Sequence, residues 1–188
     1  AEPPVALTSP SAMLVEAGTG TVIFEKNADE RRQAASVTKL MTLLICFEEL
    51  EAGNLHLDDS VTVSQEAAAQ IGSQALLDAG AVYALEELLH ATIVASANDA
   101  ACALAEHIAG TEAAFAELMN ARAAELGMNN TYYTNATGLP DDAQYTTARD
   151  VATLSVEMCR HPDYFKHASV WMDTLNHPSG RVTDLTNT

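Results

Sequence analysis

The stretch Ala35-Ser36-Val37-Thr38-Lys39-Leu40-Met41-Thr42 decides how this chain is read. From Ser36 onward Leu40, Leu43, Leu44, Phe47 and Leu50 recur at helical spacing, and Gly53 supplies a stop. The spacing predicts a helix that starts at Ser36. Ser36 and Lys39 are three apart and so share one face of it. A serine in the first turn has its hydroxyl near unpaired backbone N–H groups and the positive end of the helix dipole, which favours an alkoxide or oxyanion. A lysine one turn on reaches that hydroxyl, and once desolvated it gives up its proton more easily and serves as a base. A Ser-x-x-Lys pair arises easily by chance, and its plain reading is a helix start with a solvated lysine. Placement favours the chemical reading: Lys39 is one of only three lysines and stands directly before the apolar run Leu40 to Ile45.

The second candidate is Ser96-Ala97-Asn98, in a break between two apolar helical segments. Its plain reading is a helix cap, because Ser and Asn both cap well and Asp99-Ala100-Ala101 opens a helix. Around these two motifs the periodicity predicts an N-terminal hairpin, Ser11 to Val15 and Thr21 to Phe24, turning at Ala17-Gly18-Thr19-Gly20. An exposed connection, Glu25 to Gln33, and a short extended piece at Val61-Thr62-Val63 follow from composition. Helices are expected over Leu85 to Val94, over Asp99 to Ile108 with a stop at Gly110, and after a Thr111 cap. Thr147 with Asp150 resembles a capping box for a helix through Arg160. Val170 to Leu175 and a piece after Pro178-Ser179-Gly180 read as strands. One hairpin with so little further strand is short of a sheet that stands alone.

The 188 residues carry 26 acidic and 9 basic side chains, a net charge of −17. Such a surface repels phosphate backbones and anionic membranes, so nucleic acid is excluded as a partner. No apolar run approaches the ~20 residues of a membrane span. The opening Ala1-Glu2-Pro3-Pro4 reads as a mature end left by signal cleavage or as the boundary of a cut piece. Cys46, Cys102 and Cys159 are odd in number and show no Cys-x-x-Cys, so buried free thiols are expected rather than disulfides or a zinc site. The six histidines are scattered and each reads as a surface or satisfied core residue.

Taken jointly, the motifs resemble the low-molecular-mass penicillin-binding proteins, the serine-type D-alanyl-D-alanine carboxypeptidases (peptidase S11-like). The likeness runs through Gly18-Thr19-Gly20, Ala35 to Thr42, Ala95-Ser96-Ala97-Asn98-Asp99-Ala100-Ala101, Glu125-Leu126-Gly127-Met128, Asn135-Ala136-Thr137-Gly138-Leu139 and Thr147-Ala148-Arg149-Asp150. It covers Ser11 to Thr188. The resemblance implies the penicillin-binding protein/β-lactamase-like fold, a mixed α/β (α+β) domain with an antiparallel sheet flanked by helices. It also implies roles: Ser36 as the acylated nucleophile, Lys39 as general base, Ser96 as proton relay to the leaving D-alanine nitrogen, and Asn98 as a hydrogen-bonding partner of substrate amide and lysine. The Ser36 N–H would form half of the oxyanion hole. No cofactor and no metal are implied. The expected partners are peptidoglycan stem peptides ending in D-Ala-D-Ala and β-lactam inhibitors, and the expected place is the exported, bacterial cell-envelope side, with a C-terminal anchor outside these residues.

The family's third motif, Lys-Thr-Gly, does not occur. The last residues, Leu185-Thr186-Asn187-Thr188, resemble the segment just upstream of it. On this reading residues 1–188 are a truncated transpeptidase-like domain. It divides into a sheet hairpin and connection at 1–35, a mainly helical part at 36–160, and the start of the return to the sheet at 161–188. The cation for the substrate carboxylate and the second oxyanion donor then lie elsewhere, and loss of one oxyanion donor costs roughly 10²–10³ in rate. The 188 residues alone are therefore expected to be impaired, and their open sheet edge to self-associate or pair with a C-terminal piece. Two rival readings remain open. One is a β-lactamase that uses a carboxylate near Asn135 to Tyr145, where Asp141 and Asp142 stand. The other is a non-catalytic peptidoglycan-binding protein of the same fold.

Overall fold

The apolar stretch after Ser36 becomes the centre of the molecule. In the computed structural model, which describes residues 7–187, helix α1 (Lys39–Glu51) buries Met41, Leu43, Leu44, Ile45, Cys46 and Phe47 in succession. A helix buried on nearly every side is a core helix, and this one has neighbours all round it. Ala1-Glu2-Pro3-Pro4 and Thr188 lie outside the described residues, and so do the readings placed on them.

The neighbours of α1 are α3 (Leu85–Ala95), α4 (Asn98–Ala109), α5 (Glu112–Glu125) and α6 (Ala148–Met158). Leu88, Leu89, Leu104, Phe115, Met119 and Leu154 bring their side chains to one cluster with Met41 and Leu44. Each such fully buried side chain contributes about 1.5–3 kcal/mol of transfer free energy. Local chemistry sets the helix ends. Thr111 accepts the N–H of Ala114 and Thr147 that of Asp150, while Gly110 closes α4 at φ +82°. The expected capping box at Thr147 is only half made. The Asp150 carboxylate turns instead to the N–H of Asn130 and the hydroxyl of Thr131, at 2.9 and 2.7 Å.

The strands form three separate antiparallel ribbons among the described residues. β1 (Ala12–Val15) pairs with β2 (Val22–Lys26), β3 (Ser60–Thr62) with β4 (Val82–Ala84), and β5 (Met172–Asn176) with β6 (Val182–Thr186). The last ribbon packs on α3 and does not join the first. Two short helices escape the periodicity: α2 (Gln65–Ala68), capped by Ser64, and α7 (Pro162–Ala168), opened by proline. Both are too brief for a repeating apolar pattern to show. One thiol departs from expectation as well. Cys46 and Cys102 are buried and free, but Cys159 is exposed, because it caps the C-terminal end of α6 where the chain turns away from the core. No helix among the described residues is long and apolar enough to cross a membrane.

Candidate active site

The nucleophile candidate sits in a single 3₁₀ turn, Ala35–Thr38, rather than in the α-helix proper, and α1 starts at Lys39. Ala35 has φ +47°, an uncommon left-handed conformation for alanine. Such strain persists only where the surroundings impose it. Ser36 is exposed and Lys39 is only 3% exposed. The pair is thus split between solvent and core, one turn apart.

Lys39 Nζ lies 3.3 Å from Ser36 Oγ and donates to the Thr137 carbonyl oxygen at 2.7 Å. Burial lowers the Lys39 pKa from 10.5 to about 8, since a charged amine loses its hydration there. No carboxylate pairs with it among the described residues. The arrangement is therefore a hydroxyl in hydrogen-bond reach of an amine whose proton burial loosens, which suits proton transfer from Oγ to the neutral form of Nζ. The Ser36 N–H makes no hydrogen bond among the described residues.

The loop Asn135–Leu139 holds this pair from above. Thr42 Oγ1 donates to the Ala136 carbonyl at 2.7 Å, next to the Lys39–Thr137 bond. Gly138, at φ +83°, packs flat on the Ala35–Ser36 peptide with no room for a Cβ. Asn135 braces the loop from within by accepting from Thr137 and Gly138 through Oδ1. The half-buried Glu112 carboxylate, whose pKa burial raises, accepts the Ala136 N–H at 3.0 Å.

Ser96 ends α3 in the left-handed conformation, φ 53°, and its half-buried hydroxyl has no hydrogen-bond partner among the described residues. Asn98 opens α4. Its Nδ2 donates to the Ile71 carbonyl at 2.6 Å, while its buried Oδ1 has no partner. Gly72 lies between Asn98 and Leu139, so the second motif borders the loop that covers Ser36. The expected hydrogen bond from Asn98 to Lys39 is not formed: the asparagine amide is committed to Ile71 and the lysine to Thr137. Asp99, fully buried, fixes this corner by accepting the N–H groups of Ala75 and Leu77, both at 2.9 Å.

The structure thus brings Ser36 and Lys39 into contact and places Asn98 at the edge of the same loop. No hydrogen bond joins Ser96 to either of them among the described residues. Residue-by-residue reasoning missed the working parts of the loop, namely the Thr137 carbonyl, Thr42, Glu112 and the close approach of Gly138. Only the Asn-Ala-Thr-Gly spelling marked the place. Asp141 and Asp142 are exposed, and the Asp141 carboxylate accepts the N–H of Ala143 in its own turn. Neither bonds to Ser36 or Lys39.

A family model described as peptidase S11, D-alanyl-D-alanine carboxypeptidase, matches residues 1–183. The D-alanyl-D-alanine carboxypeptidase DacF of Bacillus subtilis is 38% identical over 178 residues, 95% of this chain and 46% of that protein. The crystal structure of DacD from Francisella tularensis superposes with a TM-score of 0.90 at 39% identity, over 95% of this chain and 44% of that one. Penicillin-binding protein 5 from Haemophilus influenzae gives a TM-score of 0.92 at 32% identity, over 100% of this chain and 54% of that one. The chain spans about half the length of the relatives it matches.

Proposed function

The chain belongs to the D-alanyl-D-alanine carboxypeptidase family, peptidase S11, and shares its fold; on that footing we propose that its site trims the terminal D-alanine from peptidoglycan stem peptides through an acyl-enzyme on Ser36. The observation that carries the reading is Lys39 Nζ 3.3 Å from Ser36 Oγ, in surroundings that lower the lysine pKa to about 8.

In the first step Lys39 takes the Ser36 proton as Oγ attacks the carbonyl carbon of the penultimate D-alanine. The negative charge that develops on the carbonyl oxygen is met by the free Ser36 N–H, one donor of an oxyanion hole. As the C–N bond breaks, the Ser96 hydroxyl passes a proton to the departing D-alanine nitrogen. The unpaired Asn98 Oδ1 accepts an N–H of the peptide, and water then hydrolyses the Ser36 ester. Penicillin, whose strained amide imitates the D-Ala-D-Ala terminus, acylates the same oxygen. Such a substrate places the action on the outer side of the cytoplasmic membrane, at the cell wall. Exposed Asp141 and Asp142 leave the β-lactamase reading without a deacylating carboxylate at Ser36.

Intact-mass analysis after prolonged incubation with excess benzylpenicillin tests this. The chain gains one penicilloyl adduct, located on the peptide that holds Ser36, and Ser36→Ala gains none. No adduct on the parent chain, or an adduct that survives in Ser36→Ala, overturns the assignment. Release of D-alanine from diacetyl-Lys-D-Ala-D-Ala supports the carboxypeptidase. Rapid hydrolysis of penicillin without that release supports the β-lactamase, and peptide binding with neither reaction supports a binding protein.

A further inference from the structure

Helices α3 and α7 each carry a carboxylate and a histidine four residues apart: Glu86 and His90 on one, Asp163 and His167 on the other. At that spacing the two side chains of each pair share a helix face. All four line one open cavity of about 930 Å³, which β5 also borders through Asp173. Within it Nδ1 of His90 lies 3.0 Å from Nδ1 of His167.

Two neutral imidazoles at that distance hold a single proton between their facing nitrogens, and one ring must present a lone pair to the other. A transition-metal ion can take the place of that proton. With metal–nitrogen bonds of about 2.0–2.1 Å, two imidazole nitrogens on one ion stand roughly 3.0–3.4 Å apart. The other nitrogen of His90, Nε2, is 3.0 Å from Oδ2 of Asp173, yet not aligned as a hydrogen bond and otherwise unpartnered. A small ring rotation brings its N–H onto the carboxylate, which is the outer contact that commonly fixes the tautomer of a metal-bound histidine. Burial first, and then the neighbouring His90, lower the His167 pKa, which keeps its lone pair available near neutral pH. Glu86 and Asp163 both favour positive charge at His167. Lys166 opposes it, but its ammonium is paired with Asp163 at 2.6 Å.

We propose that His90 and His167 are the protein ligands of a divalent transition-metal site of the zinc(II) class, with Asp173 orienting His90 and water completing the coordination. The site is independent of the acyl-enzyme reading. An ion there ties α3 to α7, and Ser96 follows His90 by six residues, about 9 Å along α3. Among the described residues three ligand atoms converge only elsewhere, at Glu48, Glu157 and His161. That cluster already has its cation: Arg122 lies 2.7 Å from Glu48 and 3.5 Å from Glu157.

Calorimetric titration of the full chain with zinc(II) chloride tests the proposal, in a Cys159→Ser background because an exposed thiol also takes zinc. One saturable site is expected, with a higher thermal midpoint in the loaded protein. His90→Gln and His167→Gln each remove the saturable binding, Asp173→Asn weakens it about 10–100-fold, and His161→Gln leaves it unchanged. Absence of saturable binding, or binding that survives His167→Gln, overturns the site. Should a histidine variant fail to fold, imidazole NMR signals of the parent decide it during the same titration. Shifts at His90 and His167 support the site, and shifts confined to other histidines overturn it.

Discussion

Gly138 lies flat against the Ala35 carbonyl, two parts of the chain far apart in sequence pressed together beside the candidate nucleophile. The contact explains why Ala35 tolerates φ +47°: the loop above it leaves the peptide one position.

Gly138→Ala places a methyl group on that carbonyl and also strains a residue at φ +83°. The loop must lift, and the Thr137 and Ala136 carbonyls lift with it. The expected cost is about 2–3 kcal/mol, which lowers the melting temperature by roughly 4–12 °C in a chain of this size. Calorimetry checks the stability and penicillin labelling the site. A variant with parental melting and parental labelling rate contradicts the contact.

Acylation of Ser36 should rise with pH through a midpoint near 8, where the buried Lys39 loses its proton. The sign follows from the role: only the neutral amine accepts the Ser36 proton, so the rate is low below the midpoint and reaches a plateau above it. The rate of penicilloyl-adduct formation across about pH 6 to 10 reads this directly. A flat profile, or one that falls over this range, is incompatible with Lys39 as base.

Asp99→Ala should be among the most damaging single changes outside the Ser36 loop. Its buried carboxylate accepts the Ala75 and Leu77 N–H groups, and truncation leaves both donors unpaired in the core. The loss is about 3–5 kcal/mol. Chemical denaturation measures it, and a loss below about 1 kcal/mol would show that these bonds are replaced by water. The segment that Asn98 holds through Ile71 should loosen as well, seen as faster amide exchange around 71–77.

Iodoacetamide should label one of the three thiols in the folded protein and all three after denaturation. Cys159 is exposed, whereas burial keeps Cys46 protonated, its pKa pushed up to about 12, and raises Cys102 as well. Peptide mapping identifies the labelled site. Native labelling of Cys46 at a comparable rate would show that α1 opens far more often than its packing implies.

Much of the fold was legible because its signals are local. Thr111 and Thr147 announced their helices three residues ahead of the N–H groups they accept, and Gly110 and Gly53 marked the ends. The Ser36–Lys39 pairing was equally readable, because a separation of three residues in a helical turn leaves little else for the two side chains to do. The helices α2 and α7 were not, since four and seven residues are too few for an apolar pattern to recur. The half-made capping box has the same cause: Asn130 and Thr131, about twenty residues upstream, claimed the Asp150 carboxylate.

By itself, the sequence determined the family, the contact between Ser36 and Lys39, and the helices that flank both motifs. Short-range spacing and residue chemistry suffice for these. Only the tertiary structure decided what surrounds the lysine, because its acceptor, Thr137, lies 98 residues away and is a backbone carbonyl that no residue type reveals. The same holds for His90 and His167, which look scattered along the chain and meet at 3.0 Å. Burial lowers the pKa of both Lys39 and His167, and it arises only when distant segments pack together.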